Sequence, residues 1–209
     1  MKKQLILLVV VTTFACCSVS KADMTNVLWD VESAFTCTNS AFSATSLTLG
    51  GIQLQSPSLV AGHLYMDSAS DPTLFLGSSV NNDTGYMWNG YQVNVVMSVP
   101  FTFSGTPGVS NPDSTWFLAG DTAPALQGSG PYAGEYEGSI FYSAGTLLGI
   151  GAELDFNYAI NFGGSTDYAF TQEMIPSLVV VPEPSTVALL AIGGLGLALR
   201  LRRNSRKDA

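Results

Sequence analysis

Tyr91-Gln92-Val93-Asn94-Val95-Val96-Met97-Ser98-Val99-Pro100-Phe101-Thr102-Phe103 decides the fold class. Tyr91, Val93, Val95, Met97, Val99, Phe101 and Phe103 fall on one side, with Gln92, Asn94, Ser98 and Thr102 opposite. A period of two is the mark of a strand with one face in the core and one in water. Ala152 to Phe162 repeats the pattern: Leu154, Phe156, Tyr158, Ile160 and Phe162 face one way, and Glu153, Asp155, Asn157 and Asn161 the other. Val27, Trp29, Val31, Ser33 and Phe35 also share a face. Shorter strands are expected at 47–54, 59–66, 74–76, 116–119, 135–142, 168–172 and 178–181.

Turn clusters separate these runs, among them Asn81-Asn82-Asp83-Thr84-Gly85, Ser104-Gly105-Thr106-Pro107-Gly108, Gln127-Gly128-Ser129-Gly130-Pro131 and Gly163-Gly164-Ser165. No segment between them sustains a helical period. Many short strands without helices predict an all-β, antiparallel two-sheet sandwich, Ig-like or jelly-roll-like, over residues 23–181.

The ends of the chain differ from this middle. All eight Lys and Arg lie in them, and none falls between Ala22 and Leu199. Lys2 and Lys3 precede an apolar stretch from Leu5 to Ala15, and Ser20-Lys21-Ala22 supplies small residues at a cleavage site. This layout predicts a signal peptide over 1–22, cut by signal peptidase after Ala22. Cys16 and Cys17 invite a lipoprotein reading, but Thr13-Phe14-Ala15 lacks the Leu expected three positions before a lipid-bearing Cys. At the other end, Pro182-Glu183-Pro184 is followed by the apolar run 187–199 and the basic tail 200–209, with Arg200, Arg202 and Arg203 at its start. Closely spaced prolines force an extended segment. The run suits a single transmembrane helix in the inner membrane, short at about 20 Å. Snorkelling arginines and local thinning can make up the difference. The basic tail stays on the cytoplasmic side.

Pro-Glu-Pro, a short Gly-containing apolar run and an Arg-rich end, in that order over residues 182–209, resemble the PEP-CTERM sorting signal. The stretch from Val80 to Phe103 also looks like central regions of proteins that carry this signal. The resemblance implies a bacterial exported protein of a Gram-negative type, with exopolysaccharide production as its usual setting. It implies recognition of Pro182, Glu183 and Pro184 by an exosortase, a membrane-embedded thiol transpeptidase-like enzyme, and then loss of the helix and tail. Cell-surface or extracellular residence follows. Bodies that carry this signal are varied, so it assigns no chemistry upstream.

Composition limits what the middle can do. Of 16 acidic residues only Glu183 and Asp208 lie outside the body, so the body has 14 acids and no Lys or Arg. Such a surface repels the phosphates of nucleic acid and anionic lipid heads. Abundant aromatic and branched apolar residues exclude disorder. Only Cys37 remains after signal removal, which rules out an intrachain disulfide and reads as a small buried hydrophobe.

The residues that could carry chemistry are few. A catalytic triad, a metal ligand or a thiol site with Cys37 would need His63, the only histidine. Glu135 with Glu137, and Glu153 with Asp155, project pairwise from one strand face, the raw material of a glycoside hydrolase. Paired acids on a solvent face are also ordinary solubilising residues. Asn81, Asn82 and Asp83 offer oxygens for calcium in one turn, and Asp67 and Asp71 in another, without the spacing of a known loop, so no metal or other cofactor is expected. Tyr86, Trp88, Tyr91, Tyr132 and Tyr136 are either sugar-stacking or core aromatics.

The sequence therefore predicts an exported, exosortase-processed, non-catalytic protein of the cell surface or a biofilm-type extracellular matrix, in contact with exopolysaccharide. The alternatives are a carbohydrate-binding module and a secreted glycoside hydrolase.

Overall fold

Residues 22–180, apart from Asp71 and Pro112, are described by the computed structural model. The signal peptide, the Pro182-Glu183-Pro184 motif, the apolar run 187–199, Arg200, Arg202 and Arg203 all lie outside the described residues. So does Asp71.

Eleven strands follow one another: β1 (Met24–Val31), β2 (Phe35–Phe42), β3 (Ser46–Gln53), β4 (Ser58–Met66), β5 (Thr73–Asn82), β6 (Met87–Met97), β7 (Phe101–Ser110), β8 (Phe117–Leu126), β9 (Tyr136–Leu148), β10 (Glu153–Phe162) and β11 (Asp167–Val179). They form a six-stranded sheet A, ordered β1-β4-β11-β6-β9-β8, and a five-stranded sheet B, ordered β2-β3-β5-β10-β7. Among the described residues there is no helix.

The all-β, two-sheet expectation holds, with one change of detail. β3 and β5 run parallel, while every other pairing is antiparallel. The reason is the path between them. β4 crosses to sheet A and β5 crosses back, so β3 and β5 point the same way.

Alternation fixes which side of each strand is buried. On β10, Leu154, Phe156, Tyr158, Ile160 and Phe162 point inward. On β6, Tyr91, Val93, Val95 and Met97 do the same. Together with Leu47, Leu49, Leu74, Leu76, Val80, Val60, Leu64, Phe170 and Met174 they form one core between the sheets. Trp88, Tyr91, Phe156 and Tyr142 stack in sequence across it, with ring centroids 5.1, 5.6 and 5.9 Å apart. Burial of such rings supplies much of the drive to fold.

Two polar bridges cross this apolar layer. The Tyr91 hydroxyl donates to Gln53 Oε1 at 2.7 Å, and Gln53 Nε2 donates to the Met174 carbonyl at 3.0 Å. The Tyr158 hydroxyl donates to Gln172 Oε1 at 2.7 Å, and Gln172 Nε2 donates to Ser78 Oγ at 3.2 Å. Buried polar groups are costly unless paired, so each bridge fixes how one sheet sits on the other.

Several boundaries differ from the sequence reading, and the turn expected at Ser104-Gly105-Thr106-Pro107-Gly108 lies inside β7, where the register with β10 shifts. The run Tyr91 to Phe103 is two strands, β6 in sheet A and β7 in sheet B, with the chain turning at residues 98–100. Val27 to Phe35 likewise splits into β1 and the start of β2. In the other direction, 168–172 and the first two residues of 178–181 belong to one strand, β11, which passes through Pro176 and ends at Val179. Its pairing with β4 ends at Met174, so the side that the Pro176 nitrogen faces is unpaired, and a missing N–H is tolerated there.

Candidate functional site

The candidate calcium oxygens belong to two separate turns, and Asp71, the partner of Asp67, lies outside the described residues. Asp67 follows β4 and Asp83 follows β5, so the ten residues of β5 lie between their ends of the fold, roughly 30 Å along the strand. Asp67 Oδ1 accepts the backbone N–H of Asp23 at 2.9 Å. Asn82 is fully buried: its Oδ1 accepts from Thr84 N and Thr84 Oγ1, and its Nδ2 donates to the Tyr86 carbonyl at 2.8 Å. Its amide also reaches the Gly149 carbonyl at 3.2 Å, and Trp88 Nε1 donates to Thr84 Oγ1 at 3.0 Å. Asn82 is therefore the hub of a turn with its acceptor already engaged. Among the described residues no group of three or more His, Cys, Asp or Glu is placed to hold a metal ion.

His63 lies on the outer face of sheet A. Its Nδ1 is 2.8 Å from Asp167 Oδ1, and its ring stacks on Tyr65. Cys37 is on β2 of sheet B, packed against the core, with burial holding its thiol above its usual pKa and its Sγ donating to the Asn39 carbonyl. The structure does not bring the two together. Of the aromatic candidates, Trp88 and Tyr91 are core residues, Tyr86 is exposed, and Tyr132 and Tyr136 are half-buried.

Glu137 on β9 finds its electrostatic partner in Glu173 of β11, which the sequence did not single out. Partial burial first, and the Glu173 charge second, raise the Glu137 pKa. Between them runs a hydrogen-bonded row on the outer face of sheet A. Asn94 Nδ2 donates to Glu173 Oε2, while Asn94 Oδ1 accepts from Ser139 Oγ and Gln92 Nε2, all at 2.7 Å. Tyr132, in the β8–β9 loop, sits in this acidic field. Burial, then Glu173, Glu137, Glu32 and Glu135 in that order, push its pKa to about 12.

The outer face of sheet B has a different character. Its five strands carry only two acids, Glu153 and Asp155, both exposed on β10. Register aligns Thr48, Gly77, Asn157 and Gly108 in one row across the sheet, and Asn39, Gly50, Ser79 and Asp155 in the next. Two adjoining hollows lie along these rows, about 400 and 420 Å³, sharing Thr48, Gly77 and Asn157. Glycine makes the floor low. A Cβ at Gly77 would meet nothing closer than Thr48 Cγ2 at 3.8 Å, whereas Asn39 lies directly over Gly50 and Asn157 over Gly108. Phe75 borders the first hollow and is 57% exposed. Among the described residues, nothing hydrogen-bonds the side-chain amides of Asn39 and Asn157 or the Asp155 carboxylate. Further along the face, Asn161 Oδ1 is buried without a partner.

The polar side of β10 was legible as the residues opposite the apolar set. Phe75 was not, because Leu74-Phe75-Leu76 reads as uniformly apolar.

Beyond β11 the next feature is immediate. Residues 180–203 match the family model of the PEP-CTERM protein-sorting motif. The chain carries a PEP-CTERM sorting motif. β11 ends at Val179, so the PEP-CTERM match begins where the sandwich stops and does not reach into it. The PEP-CTERM motif marks an exosortase-targeted exported protein with a cell-surface or extracellular destination. Comparison with curated proteins and with solved structures gives no significant match for the chain.

Proposed function

We propose that this chain is a non-catalytic structural protein of the bacterial cell surface or extracellular matrix. A signal peptide over 1–22 delivers it, an exosortase processes it at Pro182-Glu183-Pro184, and a short helix over 187–199 with its Arg tail holds it in the inner membrane until then. The observation that carries the reading is the PEP-CTERM motif at residues 180–203, directly after the last strand. The strand order supports a jelly-roll-like body. From β4 to β7 the chain alternates between sheets, and β11 returns between β4 and β6. The exposed acids Glu153 and Asp155 serve solubility in this reading.

Replacing Pro182-Glu183-Pro184 with alanines tests it. The C-terminal peptide should stay attached to membrane-bound protein, as followed by mass spectrometry of membrane and medium fractions. Removal of the tail at the normal rate in the variant, or in a host lacking exosortase, would sink the processing route. Hydrolysis of any polysaccharide by the purified protein would sink the non-catalytic assignment.

A further inference from the structure

We propose that the outer face of sheet B binds a neutral polysaccharide chain. The proposal rests on the reading of an exported surface protein only for where the ligand is met; its support is local to the two hollows around Gly77. A sugar presents hydroxyls that both donate and accept, and ring faces of C–H groups. A primary amide answers the first, because one planar group carries two donors and an acceptor. An exposed aromatic ring answers the second. Asn39 and Asn157 supply amides that no described residue engages, Asp155 supplies an acceptor, and Phe75 supplies a ring at the groove's edge. The low floor at Gly77 leaves room for a chain to lie across Thr48.

Charge selects among polymers. The body has no Lys or Arg, so a uronate-, sulfate- or phosphate-bearing chain meets repulsion and no counter-charge. The sheet B face, with only Glu153 and Asp155 in its strands, is the least acidic broad surface available to a neutral one.

Native affinity electrophoresis of the exported protein tests this, with hydroxyethylcellulose, laminarin, xylan and galactomannan as neutral probes and alginate as the polyanion. At least one neutral polymer should retard the protein, and alginate should not. Phe75→Ala and Asn157→Ala should each weaken retardation at least about fivefold. Gly77→Val should abolish it without lowering Tm, because the new methyls project into the hollow and valine favours strands. If Gly77→Val fails to fold, Phe75→Ala carries the test, since its ring is largely in solvent. Absence of retardation by all four neutral probes, retardation by alginate, or binding unchanged in these variants would overturn the proposal. None of these substitutions touches the C-terminal motif, so processing and binding can fail separately.

Discussion

Asn82 shows how much one side chain can hold. It closes the β5–β6 turn through Thr84 and Tyr86 and reaches across to the residues after β9. Asn82→Ala strands several buried carbonyls and N–H groups at once. The expected cost is about 3 kcal/mol or more, a Tm lower by roughly 6–12 °C in a calorimetric scan. Asn81→Ala, which loses a single exposed bond to the Gly151 carbonyl, should cost less than about 1 kcal/mol. Glu137 gives a pH signature. Its folded-state pKa is raised, so the native state holds the proton more tightly than the unfolded chain. Its contribution favours folding at low pH and is lost as pH climbs from the ordinary glutamate range through the raised value. Glu137→Gln should therefore flatten the fall in Tm between mildly acidic and neutral pH. An unchanged slope would show that burial and the Glu173 charge do not hold the Glu137 pKa up. Neither partner was visible in the sequence as a pair, since β9, β6 and β11 meet only in the folded sheet. Asn82, by contrast, was read as part of a turn with oxygens for calcium, and is instead the buried last residue of β5, its side chain bonded to the turn that follows. Its burial, not its residue type, decides between the two.

At the scale of elements, the strands were legible and their breaks were not. Tyr91 to Phe103 keeps its period through residues 98–100 because β6 and β7 bury their apolar sides in the same core from opposite sheets. A chain can turn that corner without changing phase. Pro100 was the one local sign of a break. The same logic hides the β1–β2 corner before Phe35. Close approach between strands was equally invisible. A Cβ on Gly62 of β4 would lie 2.2 Å from the Leu28 carbonyl oxygen of β1, so Gly62→Ala must push that edge strand away. Loss of about 2 kcal/mol or more is expected, with faster hydrogen exchange at Leu28, Asp30 and Glu32, whose N–H groups face β4. Protection equal to that of the parent protein would mean β1 is held mainly by its other contacts.

For the whole molecule, charge and architecture make one prediction each. A body with 14 acids and no Lys or Arg should give no DNA gel shift at physiological salt. A surviving shift would defeat the charge argument. Because no loop carries a full set of oxygen ligands at a recognised spacing, millimolar calcium should move Tm by about 2 °C or less. A rise of many degrees would redirect attention to the acids around Tyr132.

The placement of β11 also bears on timing. It is the last of the described strands to be made, yet it lies between β4 and β6, so sheet A cannot close until residue 179 has been synthesised and released. Three residues later comes Pro182. A nascent chain is thus committed to its finished shape and presented for sorting at nearly the same moment. A chain that stalls before Asp167 shows bare edges on β4 and β6 to proteases and lacks the sorting motif.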